Sequence, residues 1–192
     1  MIQNIFTKSI FKINLENLNY KKYVIEVLIN FKKNNYSRVV SNVNGFQTIF
    51  IEDEEFQKQS LNILKNPILN FIKTFNPLCN FFIKLNGIWI NENFKGSSNF
   101  KHLHPQSNFS GVYYIKVPKD SGNIIFYRDE ILYEYLENYK IFNSSEFNIS
   151  EKIEIKEHDL ILFPSFLNHS VEKNLNEDSR ISVAFNFDIK NL

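Results

Sequence analysis

The sequence predicts an α+β fold, with helices in the first part of the chain and a sandwich or barrel of strands after them. Three observations predict it. Apolar residues recur at three- and four-residue steps up to Phe75. After Cys79 the pattern changes to short runs rich in β-branched and aromatic residues, punctuated by Gly, Pro and Asn. The chain has 192 residues, of which 43% are hydrophobic and 22% charged, which suits one domain with a closed core.

From Asn14 to Lys33 the apolar positions Leu15, Leu18, Tyr23, Val24, Val27, Leu28 and Phe31 describe an amphipathic helix. A turn follows at Asn34-Asn35. A second helical pattern runs from Glu54 to Phe75 through Phe56, Leu61, Leu64, Leu69 and Ile72, with Pro67 as a kink or break and Pro77 beyond its end. Residues 1–78 thus read as mostly helical support, and residues 79–192 as the β core. Strands are expected at residues 81–85, 87–91, 110–117, 123–127, 152–156, 159–163 and 180–187. Residues 127–150, long and rich in Tyr and Asn, read as a lid between strands. No internal repeat or linker divides the chain, so a single domain is expected.

The net charge of +1 supplies no global field toward nucleic acid or anionic lipid. One cysteine, Cys79, rules out an internal disulfide and suits a reducing cytoplasm. No signal peptide is read at Met1–Lys8, and no apolar run approaches the roughly 20 residues of a membrane helix.

Four histidines occur: His102, His104, His158 and His169. On a strand, side chains two apart share a face, so His102 and His104 can aim at one point. His169 follows the apolar strand that ends at Phe163, and a jelly-roll barrel brings two such distant strands together across its mouth. Imidazole is the commonest ligand of iron, zinc and copper. On spacing alone the alternative is ordinary solvated or hydrogen-bonded histidines. His158, between Glu157 and Asp159, reads as a solvated turn residue.

The run from His102 to Ile115, His-Leu-His-Pro-Gln-Ser-Asn-Phe-Ser-Gly-Val-Tyr-Tyr-Ile, resembles the signature of a bacterial and phage family of 2-oxoglutarate/iron(II) oxygenases. The likeness continues through Pro118, Ser121-Gly122, Phe163-Pro164-Ser165 with His169-Ser170-Val171, and Arg180-Ile181-Ser182 with Phe185-Asn186. Upstream it takes in the segment Ser41–Thr48 and Trp89-Ile90-Asn91. The resemblance implies the prolyl-hydroxylase-like branch, with N-terminal helices packed on a double-stranded β-helix (jelly-roll, cupin-like) barrel. It implies Fe(II) as metal, 2-oxoglutarate as co-substrate, and O2 as oxidant.

By the same resemblance, His102, His104 and His169 are the metal ligands. Arg180 holds the far carboxylate of 2-oxoglutarate, with Tyr114 and Ser182 beside it. A guanidinium matches a carboxylate with a planar fork, and strand alternation sets Ser182 on the face of Arg180. Without the motif, Arg180 would read as a surface partner of Glu177 or Asp178, and Tyr114 and Trp89 as core packing. Ser110-Gly111 and Gly122 read as close strand or turn geometry, Asn91 and Asn186 as polar lining.

One departure stands out. His104 occupies the place where the family class carries Asp or Glu, so three neutral imidazoles leave the full charge of Fe(II). Either His104 is the third ligand, or a carboxylate such as Asp129 or Glu130 reaches in. The expected activity is hydroxylation of an unidentified small-molecule or peptide substrate, with release of succinate and CO2. The competing readings are a three-His dioxygenase of the same fold that does not use 2-oxoglutarate, and a metal-free binding module on the barrel.

Overall fold

A computed structural model describes residues 8–34, 37–128 and 148–192. The expected lid at 127–150 falls mostly outside these residues, as do Asp129 and Glu130.

Eleven strands and two helices are formed among the described residues: β1 (Phe11–Asn14), α1 (Leu18–Asn34), β2 (Asn42–Val43), β3 (Phe46–Gln47), α2 (Glu54–Lys73), β4 (Phe81–Asn93), β5 (Ser98–His102), β6 (Phe109–Lys116), β7 (Ile124–Tyr127), β8 (Ser150–Ile153), β9 (Asp159–Pro164), β10 (His169–Val171) and β11 (Arg180–Asn191). They make a six-stranded sheet in the order β1-β9-β6-β11-β4-β3 and a five-stranded sheet in the order β2-β5-β10-β7-β8. Every pairing is antiparallel.

Strand periodicity divides the large sheet into two faces. Ile88 and Ile90 of β4, Tyr113 and Ile115 of β6, Leu160 and Leu162 of β9, and Val183, Phe185 and Phe187 of β11 pack with the buried faces of the helices. Tyr114, Ile161 and Phe163 point the other way and pack with Ile124 and Phe126 of the small sheet. At Gly111 a Cβ would stand 2.3 Å from the Phe185 ring, so the glycine there answers to close packing. Both faces of these central strands are covered, which explains their continuous apolar runs.

The helices lie where periodicity set them, with differences at their ends. Asn17 caps α1 by accepting from the Tyr20 amide at 2.9 Å. Ahead of this cap, Phe11–Asn14 form β1, paired with β9 at the sheet edge. Only Phe11 of this strand is apolar and partly covered, too weak a pattern to announce a strand. With β2 and β3, it means that residues 1–78 also contribute strands to both sheets.

Asp53 caps α2 through the Phe56 amide at 2.8 Å. The helix runs through Pro67 without a break. Phe56, Leu64, Ile68, Phe71 and Ile72 bury one continuous stripe, and that contact outweighs the roughly 3 kcal/mol an interior proline costs. The two strands expected at 81–85 and 87–91 are one strand, β4, paired along its length with β11.

Candidate metal centre

His102 ends β5 and His169 begins β10, and the two residues are direct cross-strand partners. His104 lies beyond β5, so strand alternation does not aim it. A loop does: the His104 amide donates to the Ser165 carbonyl at 2.9 Å, and the Ser165 amide donates to the Asn108 carbonyl at 3.0 Å. Ser165 is itself anchored, its hydroxyl 2.7 Å from that of Ser110, which donates to Asn186 Oδ1 at 2.8 Å. The Phe-Pro-Ser turn and the His-x-His-Pro loop are therefore locked to each other, a role for Ser110 and Ser165 that sequence reasoning missed.

The available ligand atoms of His102, His104 and His169 all lie within 4.8 Å of one another. His102 Nδ1 is 2.8 Å from the Phe100 carbonyl and His169 Nδ1 is 2.9 Å from the Leu167 carbonyl. A carbonyl only accepts, so in the neutral rings Nδ1 carries the proton and Nε2 offers its lone pair inward. Burial pushes the His102 pKa down. It pushes His104 down to about 4, with His102 adding to the effect. His169, more deeply buried and facing both other rings, lies well below the usual histidine range. Three neutral donors converging on one point, two of them oriented through Nδ1, fit a divalent transition metal.

The same cavity, about 290 Å3, is lined by Tyr114, Arg180 and Ser182. Arg180 starts β11 and is 1% exposed. Its Nη1 donates to the Ser121 carbonyl and, at 3.1 Å, to the Gly122 carbonyl, while Nη2 has no partner. Leaving a buried donor unmet costs roughly 1–3 kcal/mol, and a carboxylate seated against it would supply the acceptor. These residues therefore also fit the far end of 2-oxoglutarate. Tyr114 is 2% exposed, and burial raises its pKa, so its hydroxyl stays a protonated donor. The Ser121-Gly122 corner needs its glycine: φ is +84°, and a Cβ would stand 2.6 Å from the Glu172 carbonyl oxygen.

All six expected site residues thus meet in one cavity. Glu177 and Asp178, the alternative partners for Arg180, pair instead with Lys95 and Lys116. Asn91 and Asn186 line the cavity as expected. Trp89 is not simply core; its ring lies in the cavity wall 5.9 Å from that of His104. His158 is a correction. It is 7% exposed rather than solvated, with φ at +69°, and its Nδ1 is 3.0 Å from the Tyr113 hydroxyl. The left-handed turn sets its ring beside that of Tyr113, whose hydroxyl donates to the Leu15 carbonyl at 2.7 Å.

One cavity of this jelly-roll barrel thus holds three converging imidazoles and a buried arginine with an unmet donor. Residues 87–186 match the family described as "Putative 2OG-Fe(II) oxygenase", and the chain belongs to that family. Three solved structures are similar in fold. HygX from Streptomyces hygroscopicus, with nickel and 2-oxoglutarate bound, has a TM-score of 0.64 at 13% identity, over 94% of this chain and 83% of that one. A Pseudomonas putida prolyl-4-hydroxylase has 0.62 at 14%, over 94% and 92%. The viral collagen prolyl hydroxylase of Paramecium Bursaria Chlorella virus-1 has 0.56 at 16%, over 93% and 94%. No curated protein matches. The chain is a 2-oxoglutarate- and Fe(II)-dependent oxygenase, an oxidoreductase on a double-stranded β-helix.

Proposed function

We propose that this oxygenase hydroxylates its substrate at an iron held by His102, His104 and His169, with Arg180, Tyr114 and Ser182 binding the far carboxylate of 2-oxoglutarate. One observation carries the reading: a cluster of neutral imidazoles and a buried, half-satisfied guanidinium line the same cavity. When bound, Fe(II) supplies dioxygen activation, coupled to oxidative decarboxylation of 2-oxoglutarate to succinate and CO2.

The chain's own part is binding and orientation. The Phe100 and Leu167 carbonyls fix the rotation of two ligand rings. The Ser121 and Gly122 carbonyls hold Arg180 so that Nη2 faces the co-substrate. Tyr114 donates from a phenol that burial keeps protonated, and the Phe126 and Phe163 rings beside His169 exclude water. No helix among the described residues is long and apolar enough to cross a membrane. The single free cysteine, exposed at Cys79, fits a reducing cytoplasm as the working compartment. The substrate class proposed is a small molecule or peptide.

The test is Arg180→Ala. Removing one partner of a desolvated charge pair costs about 2–5 kcal/mol, so 2-oxoglutarate binding should weaken by at least about tenfold at 1.4 kcal/mol per decade. Metal affinity should hardly change. Arg180→Lys should fall between, as a point charge without the fork. Calorimetric titration of manganese-loaded protein measures all three, and equal affinity in wild type and Arg180→Ala would overturn the assignment.

A further inference from the structure

The described residues lining the metal cavity include two arginines, Arg38 and Arg180, and no Asp or Glu. Arg180 is spoken for by the co-substrate. Arg38 is not. It stands exposed at the mouth, on the segment between α1 and β2, its amide donating to the Gln47 carbonyl at 2.8 Å. Its guanidinium carbon lies 4.9 Å above the Phe50 ring. Phe50 is 5.6 Å from Trp89, and Trp89 is 5.9 Å from His104. A wall of aromatic rings thus leads from this cation to a metal ligand.

No carboxylate among the described residues forms an ion pair with Arg38. Glu52 and Asp53 share an outer groove with it, and Asp53 is engaged as the cap of α2. Charge points the same way. Three neutral imidazoles leave the metal's two positive charges intact, and a 2-oxoglutarate dianion cancels only those. Among the described lining residues the guanidinium charges of Arg38 and Arg180 remain, in a cavity whose walls focus the field.

We propose that the primary substrate carries a carboxylate or phosphate group, which Arg38 grips at the mouth while the Phe50 and Trp89 rings guide its reacting carbon toward the metal. The proposal deepens the oxygenase reading and rests on it for the chemistry, though not for the anion grip. The place of Arg38 over the Phe50 ring holds the guanidinium at the cavity, where its donor fork suits bidentate capture of a planar or tetrahedral oxyanion.

Trp89 is the only tryptophan in the chain, so its fluorescence reports occupancy of this wall. The experiment titrates full-length protein loaded with Zn(II) and 2-oxoglutarate with 3-phenylpropionate, 3-phenylpropanamide and phenyl phosphate. The acid should bind about tenfold more tightly than its isosteric amide, the order expected of one charge-assisted contact. Arg38→Gln should erase that preference and Arg38→Lys should keep most of it. The ratio of phosphate to carboxylate affinity separates the two possible anions. Equal affinity for acid and amide, an acid preference that survives in Arg38→Gln, or no binding of any probe at millimolar concentration would each overturn the proposal. Calorimetry with 2-oxoglutarate on the same zinc-loaded protein keeps the two readings apart. Failure there counts against the co-substrate assignment, while probe titration of zinc-loaded Arg180→Ala, in which Arg180 cannot take the acid, still decides Arg38.

Discussion

His102 and His169 use one local device, an Nδ1 contact to the carbonyl two residues earlier, whereas His104 relies on its loop. Substitution should therefore discriminate among them. His102→Ala and His169→Ala are expected to lose stoichiometric iron while keeping a folded barrel, as metal analysis with circular dichroism would reveal. His104→Asp restores the carboxylate usual in the wider oxygenase class and should still bind iron. If metal is lost instead from Asp129→Asn or Glu130→Gln, the third ligand is an acid and His104 is not it. Gly122→Ala tests the support behind Arg180. Its Cβ meets two backbone carbonyls at 2.6 and 2.8 Å, so neither neighbour can yield as a flexible side chain would. We expect a loss of at least about 1 kcal/mol in stability and weaker 2-oxoglutarate binding, with metal binding retained. The convergence of the three histidines was legible because an ordered set of motifs surrounds them. His158 was not, since acidic neighbours suggest solvent and nothing local announces a left-handed turn.

At the scale of elements, alternation along β4 and β11 was legible in principle and decides most of the site. Ile88 and Ile90 face the helices while Trp89 and Asn91 face the cavity, and Val183 and Ser182 divide in the same way. Short edge strands were not legible. β2 and β3 have two residues each, and their pairing with β5 and β4 depends on partners far along the chain. Pro67 misled for a related reason: propensity is local, and the stripe that α2 buries is not. The cap of that helix offers a clean test. Asp53→Ala should cost about 1 kcal/mol, a fall in Tm of roughly 2–4 °C for a domain of this size. Because Asp53 does not line the metal cavity, iron and 2-oxoglutarate affinities should stay as in wild type.

For the whole molecule, the buried imidazoles link stability to pH. An unfolded histidine takes up its proton near 6.5, and folded His104 does so only at about 4. Between those values the unfolded chain binds more protons, so metal-free protein should lose stability as pH falls through that window. His102 and His169, lowered in the same direction, add to the loss. Denaturant melts of metal-free protein at pH 7 and pH 5 should therefore give a lower midpoint at pH 5. A divalent metal binds the folded form alone, and at one hundred times its Kd should add about 2.7 kcal/mol. Equal midpoints with and without manganese would contradict a preformed site.

The pairing of His169 with His102 carries a consequence for biosynthesis. β10 is three residues long; it pairs with β7 at every position, while its register with β5 is irregular between His169 and Val171. A slip of one residue would set Ser170 opposite His102 and turn the imidazole to the other face of the sheet. Only the correct alignment brings the rings together, so a metal captured by newly made chains would act as a proofreader, retaining the molecules whose strands have aligned and leaving the others to realign.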